Sequence, residues 1–176
     1  MHRVYGAGWA WASRMDYTTS MNTPRKAPDF ALLDQDDVTR SLADYAGKWL
    51  VIYFYPKDST PGCTTEACSF RDERELVSEL GSVEVIGVSK DSVRSHKKFA
   101  DAHNLTFTLL SDPNHQIIEA YDSWNLRKFM GKEYMGTQRN TFIISPDGMI
   151  VAEFRDVKPQ GHAKLILDEL SKLQTA

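Results

Sequence analysis

The sequence predicts an α/β fold with a central mixed β-sheet flanked by helices. Three observations carry that expectation. The run Trp49-Leu50-Val51-Ile52-Tyr53-Phe54-Tyr55 is apolar without a break and of strand length, as suits a strand covered on both faces. It opens a strand, helix, strand, helix order, which implies a parallel pair joined by a right-handed crossover. Asn140 to Ser145 and Met149 to Phe154 then flank Pro146-Asp147-Gly148, and the Asp-Gly pair suits the tight turn of an antiparallel hairpin.

The elements follow in chain order. Asp29 to Leu33 and Val38 to Arg40, separated by Asp34-Gln35-Asp36-Asp37, read as an N-terminal β-hairpin with an acidic turn. Ser41 to Tyr45 is one helical turn, closed by Gly47. Pro56 ends the central strand, and Thr60-Pro61 starts a helix with Thr60 as N-cap and Pro61 at the first helical position. Cys63, Ala67, Phe70, Val77 and Leu80 share one stripe of this helix, with Arg71, Asp72, Glu75 and Glu79 away from it, and Gly81 stops it. Val83 to Ser89 is a second strand and Ser92 to His103 a second helix. Thr106 to Leu110 reads as a strand, Asn114 to Tyr121 as a short helix, and Trp124 to Gly136 as a loop or hairpin. A last helix, from about Gly161 to Leu173, aligns Ala163, Ile166, Leu170 and Leu173 on one face. Crossover units that give way to an edge hairpin and a final helix fit a thioredoxin-like sheet.

With 176 residues, 41% of them hydrophobic and 26% charged, the chain suits one full-sized core. Residues 23–176 are expected to form that single domain, and residues 1–22 a disordered or non-native extension outside it. Within the extension, Val4 to Ala12 ends in Ala10-Trp11-Ala12, which imitates a signal-peptidase site. The run follows only one Arg and is shorter than a working signal peptide. A net charge of −3 without a dense Lys/Arg cluster argues against a nucleic-acid surface. No apolar run approaches the roughly 18 residues of a membrane span. Two cysteines do not make a secreted disulfide scaffold, so a reducing compartment, the cytoplasm, is expected.

Both cysteines, Cys63 and Cys68, lie just after the central strand. Counted from Thr60, Cys63 is the third helical residue, so its amide is among the first four that find no partner within the helix. Those donors and the positive end of the helix dipole favour thiolate over thiol, which makes Cys63 a candidate nucleophile. Five residues of regular helix turn the chain by about 500°, leaving the two side chains about 140° apart and their Cα atoms roughly 8.6 Å apart. A disulfide needs Cα atoms within about 7 Å, so bonding the two sulfurs requires the first turn to unwind. A thiolate oxidised to sulfenic acid can condense with a second thiol, releasing water. Buried cysteines acting as small hydrophobes are the plainer alternative, against which the Thr-Pro-Gly helix start counts. The spacings of His96, His103, His115 and His162 complete no zinc set of about four ligands. Lys57 and Asp58 read as solvated turn residues.

Pro56, Thr60 and Cys63 match the peroxiredoxin signature Pro-x-x-x-Thr-x-x-Cys. With Tyr53-Phe54-Tyr55 before it and Cys68 after it, the stretch closely resembles the bacterioferritin-comigratory-protein, or PrxQ, subfamily. The likeness extends through Leu109-Leu110-Ser111-Asp112, Phe129-Met130-Gly131-Lys132 and Arg139-Asn140-Thr141-Phe142. The resemblance implies a thioredoxin-like fold, with Cys63 as peroxidatic and Cys68 as resolving cysteine. Thr60 would orient thiolate and peroxide, and Pro56 would shield the sulfur from water. Arg139 would stabilise the thiolate and the charge on the breaking O–O bond. Glu66 matches an acidic residue that can hold the arginine, and equally suits a helix start for its charge alone. By the same analogy Trp124, Phe129 and Met130 line or cover the pocket.

The function so implied is a thiol peroxidase for hydrogen peroxide and organic hydroperoxides, serving antioxidant defence and redox homeostasis. It would be regenerated by thioredoxin or a similar dithiol protein, as a monomer or weak homodimer, without metal, haem or flavin. A redox-sensing switch or holdase using the same disulfide is the alternative.

Overall fold

The computed structural model describes the backbone of residues 18–20 and, in full, residues 23–176; the rest of the expected extension lies outside the described residues. Along the chain run β1 (Thr18–Ser20), β2 (Arg25–Lys26), β3 (Ala31–Asp34), β4 (Thr39–Ser41), a 3-10 turn (Leu42–Tyr45) and β5 (Trp49–Phe54). Then come α1 (Pro61–Asp72), α2 (Arg74–Glu79), β6 (Val83–Ser89), α3 (Val93–His103), β7 (Thr108–Ser111) and α4 (Gln116–Ala120). The chain closes with β8 (Trp124–Phe129), β9 (Lys132–Thr137), β10 (Thr141–Ile144), β11 (Met149–Arg155) and α5 (His162–Thr175).

The main sheet has the order β1-β11-β10-β5-β6-β7-β3-β4, with β2 also on β11. Its centre, β5-β6-β7, is parallel, and both flanks are antiparallel. The expected N-terminal hairpin is β3-β4. Its acidic turn is organised by the buried carboxylate of Asp34, which accepts from the Asp36 and Val38 amides (2.8 and 3.0 Å) and from Arg40 Nε (2.8 Å). Thr18–Ser20, placed by the sequence reading in the extension, pairs with Arg155–Glu153 of β11.

Strand β5 shows why its apolar run has no polar alternation. Val51, Tyr53 and Tyr55 pack with Ala67 and Phe70 of α1, Phe99 of α3, and Ile166 and Leu170 of α5. Leu50, Ile52 and Phe54 face the opposite layer, with Phe30, Ile118, Tyr121 and Phe142. Burial on both faces leaves no position where a polar side chain is tolerated.

Two elements differ from their sequence reading. The helix expected from Pro61 to Leu80 is divided at Glu73, whose φ of −84° and ψ of 11° depart from helical values, and it resumes as α2. Trp124 to Gly136, left open between loop and hairpin, is a separate two-stranded hairpin. Met130 (φ 49°) and Gly131 (φ 78°) form its turn, the left-handed pair that a tight two-residue connection requires. No helix among the described residues is long and apolar enough to cross a membrane.

Candidate active site

Helix α1 begins just past the C-terminal end of β5. Thr60 is extended (φ −83°, ψ 152°), Pro61 takes the first helical position, and the first helical bond runs from the Thr64 amide to the Thr60 carbonyl at 2.9 Å. The Cys63 amide therefore precedes the first bonded one. Its side chain faces the core at 1% exposure. Thr60 is N-cap by backbone and not by side chain: its hydroxyl donates to the Lys57 carbonyl at 2.9 Å. That bond closes a turn through Ser59, which sits at φ 59°. The lone pairs of the Thr60 hydroxyl remain able to accept.

Arg139, two residues before β10, reaches across to α1. Nη2 donates to Cys63 Sγ at 3.0 Å and Nη1 to Glu66 Oε2 at 2.7 Å. Gly62 makes room for it, since a Cβ there would stand 3.0 Å from Nη2 and 3.3 Å from Pro159 Cγ. The Arg139 carbonyl accepts from the Val157 amide at 2.9 Å, which anchors the backbone. Glu66 is fully buried, and its second oxygen, Oε1, pairs with His162 Nδ1 at 2.6 Å. A guanidinium so held offers fixed N–H groups to a sulfur anion, at no cost of reorganisation when charge develops.

Cys68 lies on the same helix, half-buried, and both thiols are free. Pro56 is exposed. It lines a cavity of about 500 Å³ with Lys57, Lys90, Trp124, Tyr134 and Thr137. Trp124 stacks on His115 at 4.2 Å, and Lys90 Nζ stands 4.8 Å from the centre of its ring. Phe129 (67% exposed) and Met130 (86%) are set in solvent, where the analogy expected them to line or cover the pocket. The turn between β8 and β9 turns them to solvent at the tip of that hairpin. Among the described residues, no three His, Cys, Asp or Glu side chains are placed to hold a metal ion.

Three groups near the site escaped the sequence reading. Asp58 is not a solvated turn residue: it is 5% exposed and its carboxylate accepts from Tyr55 Oη (2.6 Å) and Ser95 Oγ (2.8 Å), with His96 Nδ1 at 2.8 Å. The other ring nitrogen of His96 faces the Leu110 carbonyl at 3.0 Å. Thirty-eight positions separate Asp58 from His96, and the pairing of β6 beside β5, with α3 following β6, brings them together. Tyr53 is the second, its phenol pushed well above the usual range by burial, with the charges of Glu66, Cys63 and Asp58 adding to the effect. The third is His162, at the first position of α5. A histidine at a helix N-terminus gains nothing from the helix dipole, and that mismatch was a readable sign of a tertiary partner.

Residues 24–153 match the model of the AhpC/TSA family. Peroxiredoxin Bcp of Bacillus subtilis is 50% identical over 85% of the chain and 94% of its own length. The solved Peroxiredoxin Q of Xanthomonas campestris is 39% identical, covers 81% of this chain and 90% of that one, and superposes with a TM-score of 0.77. The Xanthomonas campestris bacterioferritin comigratory protein, 38% identical over the same shares with a TM-score of 0.77, was solved with a view to its alkyl peroxide reduction activity. The chain belongs to the AhpC/TSA family as a peroxiredoxin of the Bcp/PrxQ kind.

Proposed function

We propose that the chain is a thiol peroxidase that reduces hydrogen peroxide and organic hydroperoxides. The observation that carries this reading is the Arg139 guanidinium, shared between Cys63 Sγ and Glu66. The Cys63 thiolate attacks the terminal peroxide oxygen, the O–O bond breaks, and sulfur becomes sulfenic acid. The alkoxide or hydroxide released takes up a proton. Arg139 faces the sulfur and stabilises the charge that passes to the leaving oxygen. The Thr60 hydroxyl, donating to Lys57, is free to accept the peroxide O–H. Pro56 keeps water from the mouth of the site.

Cys68 then condenses with the sulfenic acid, forming the Cys63–Cys68 disulfide and releasing water. Because both residues belong to α1, its first turn opens for this step. A dithiol protein of the thioredoxin kind reduces the disulfide and restores the helix. The same residues suit a reducing cell compartment, where both thiols start each cycle free.

The alkyl peroxide reduction activity attached to the Xanthomonas relative supports organic hydroperoxides as substrates. A switch protein would need the two sulfurs but not the guanidinium and hydroxyl set around one of them. The test is peroxide consumption with thioredoxin, its reductase and NADPH. Sustained turnover by the native chain, lost in Cys63→Ser, is expected. One disulfide per molecule followed by arrest, with thioredoxin and with other dithiol or small-thiol reductants alike, would overturn the peroxidase in favour of the switch; arrest with thioredoxin alone would point to a different reductant.

A further inference from the structure

Glu66 has two anchors, and only one of them touches the site. Oε2 accepts from Arg139, and Oε1 lies 2.6 Å from His162 Nδ1. His162 is itself fixed: its side chain is fully buried, Nε2 lies 3.0 Å from Thr141 Oγ1, and the Phe70 ring meets it edge-on at 5.5 Å. Thr141 stands two residues after Arg139 at the start of β10. A closed circuit results, in which Arg139, Glu66, His162 and Thr141 link α1, α5 and β10.

We propose that His162 is a positioning residue for Cys63 chemistry: it holds the Glu66 carboxylate in the one direction that keeps Arg139 on the sulfur. The inference rests on the reading of Cys63 as nucleophile and adds a group that never touches the substrate. Glu has freely rotating side-chain bonds whose ordering costs conformational entropy, so a single contact to a guanidinium would fix neither partner. The second anchor does so. Arg139 can only donate, which requires Glu66 to accept at Oε2, and the imidazole Nδ1–H then donates to Oε1. Thr141 can donate to a bare Nε2 or accept from a protonated one, so the contact survives either charge of the ring.

The geometry distinguishes the two ring nitrogens, and so do substitutions. An asparagine amide occupies the place of Nδ1 and can donate to Glu66. A glutamine amide occupies the place of Nε2 and reaches toward Thr141 instead. Leucine does neither and leaves a buried carboxylate oxygen without a donor.

The experiment uses His162→Asn, His162→Gln and His162→Leu in the full chain carrying Cys68→Ser, so that Cys63 is the one thiol. Two rates are read at pH 7: oxidation of Cys63 by hydrogen peroxide in a single turnover, and its alkylation by iodoacetamide, which needs a thiolate but no peroxide. His162→Leu and His162→Gln are expected to slow peroxide oxidation at least about tenfold, and His162→Asn to restore most of the loss, as misplacement of a catalytic group predicts. Alkylation should fall in the same order. If His162→Leu does not fold, the Asn and Gln pair decides. Equal rates in those two variants, or native rates in all, would overturn the proposal. A native chain inert to peroxide whose alkylation still follows this order would sink the peroxidase and leave the positioning role intact. A peroxidase whose variants all react normally would do the reverse.

Discussion

Arg139 and Glu66 form a side-chain ion pair at 2.7 Å in which the carboxylate is fully buried and the guanidinium is 16% exposed. The pair spends one arm of the guanidinium on Glu66 and leaves the other for Cys63. A lysine at position 139 carries its three donors on one nitrogen and lacks the planar fork that spans Glu66 and Cys63 through two separate nitrogens. Arg139→Lys is therefore expected to lower kcat/KM for hydrogen peroxide about 100-fold, as loss of one preorganised donor does elsewhere. Steady-state kinetics check it, with circular dichroism to show an intact fold. A loss under threefold would remove the arginine from the mechanism.

Gly62 separates stability from activity. A Cβ at that position crowds Nη2 at 3.0 Å and Pro159 at 3.3 Å, and Arg139 is too firmly held to yield without moving off the sulfur. Alanine is the better helix former by about 1 kcal/mol. Gly62→Ala should thus lower the rate of Cys63 oxidation by about tenfold while the melting temperature stays level or rises. Stopped-flow oxidation and calorimetry on the same preparation test the pair of outcomes, and an unchanged rate would refute the steric account.

Asp58 collects donors from β5 and α3. Alanine in its place would leave the buried Tyr55 hydroxyl and His96 Nδ1 with only their mutual contact at 3.4 Å and would take the acceptor from the half-buried Ser95 hydroxyl. A cost of about 1–3 kcal/mol is expected, the range for buried polar groups that lose a hydrogen-bond partner. Urea denaturation measures it. A shift below about 1 kcal/mol would place Asp58 with ordinary surface turns.

Buried phenols set the alkaline limit. Burial raises Tyr53, Tyr55 and Tyr121 well above the usual phenol range. Unfolded tyrosines lose their protons near pH 10, so above about pH 10 the unfolded chain binds fewer protons than the folded one, and stability must fall as pH rises. Below that pH these groups make no slope. The urea midpoint should hold level from pH 8 to 9 and drop by pH 11. Tyr53→Phe should shallow the drop, with little cost at pH 7 because Tyr53 Oη has no hydrogen-bond partner among the described residues. An equal midpoint at pH 8 and pH 11 would contradict the assignment.

Local signals in the sequence determined most of the fold. The apolar run of β5, the Thr60-Pro61 helix start and the Asp147-Gly148 turn each act over a few residues, through burial pattern, backbone conformation and turn geometry. They also put Cys63 at a helix start before any tertiary contact is known. The family signature added Arg139, which no local rule marks as more than an exposed charge at a strand start. Tertiary structure alone decided what surrounds the sulfur. Glu66 could be read as a charge at a helix start or as a buried clamp, because the choice depends on Arg139 and His162, which are 73 and 96 positions away. Asp58 looked like a solvated turn for the same reason, since its partner His96 arrives only when β6 and α3 close over it. Phe129 and Met130 read as pocket residues until the left-handed turn at Met130-Gly131 set them in solvent. Secondary structure follows from neighbours in sequence, whereas the cost of burying a charge depends on neighbours in space, and those exist only once the sheet and helices have packed.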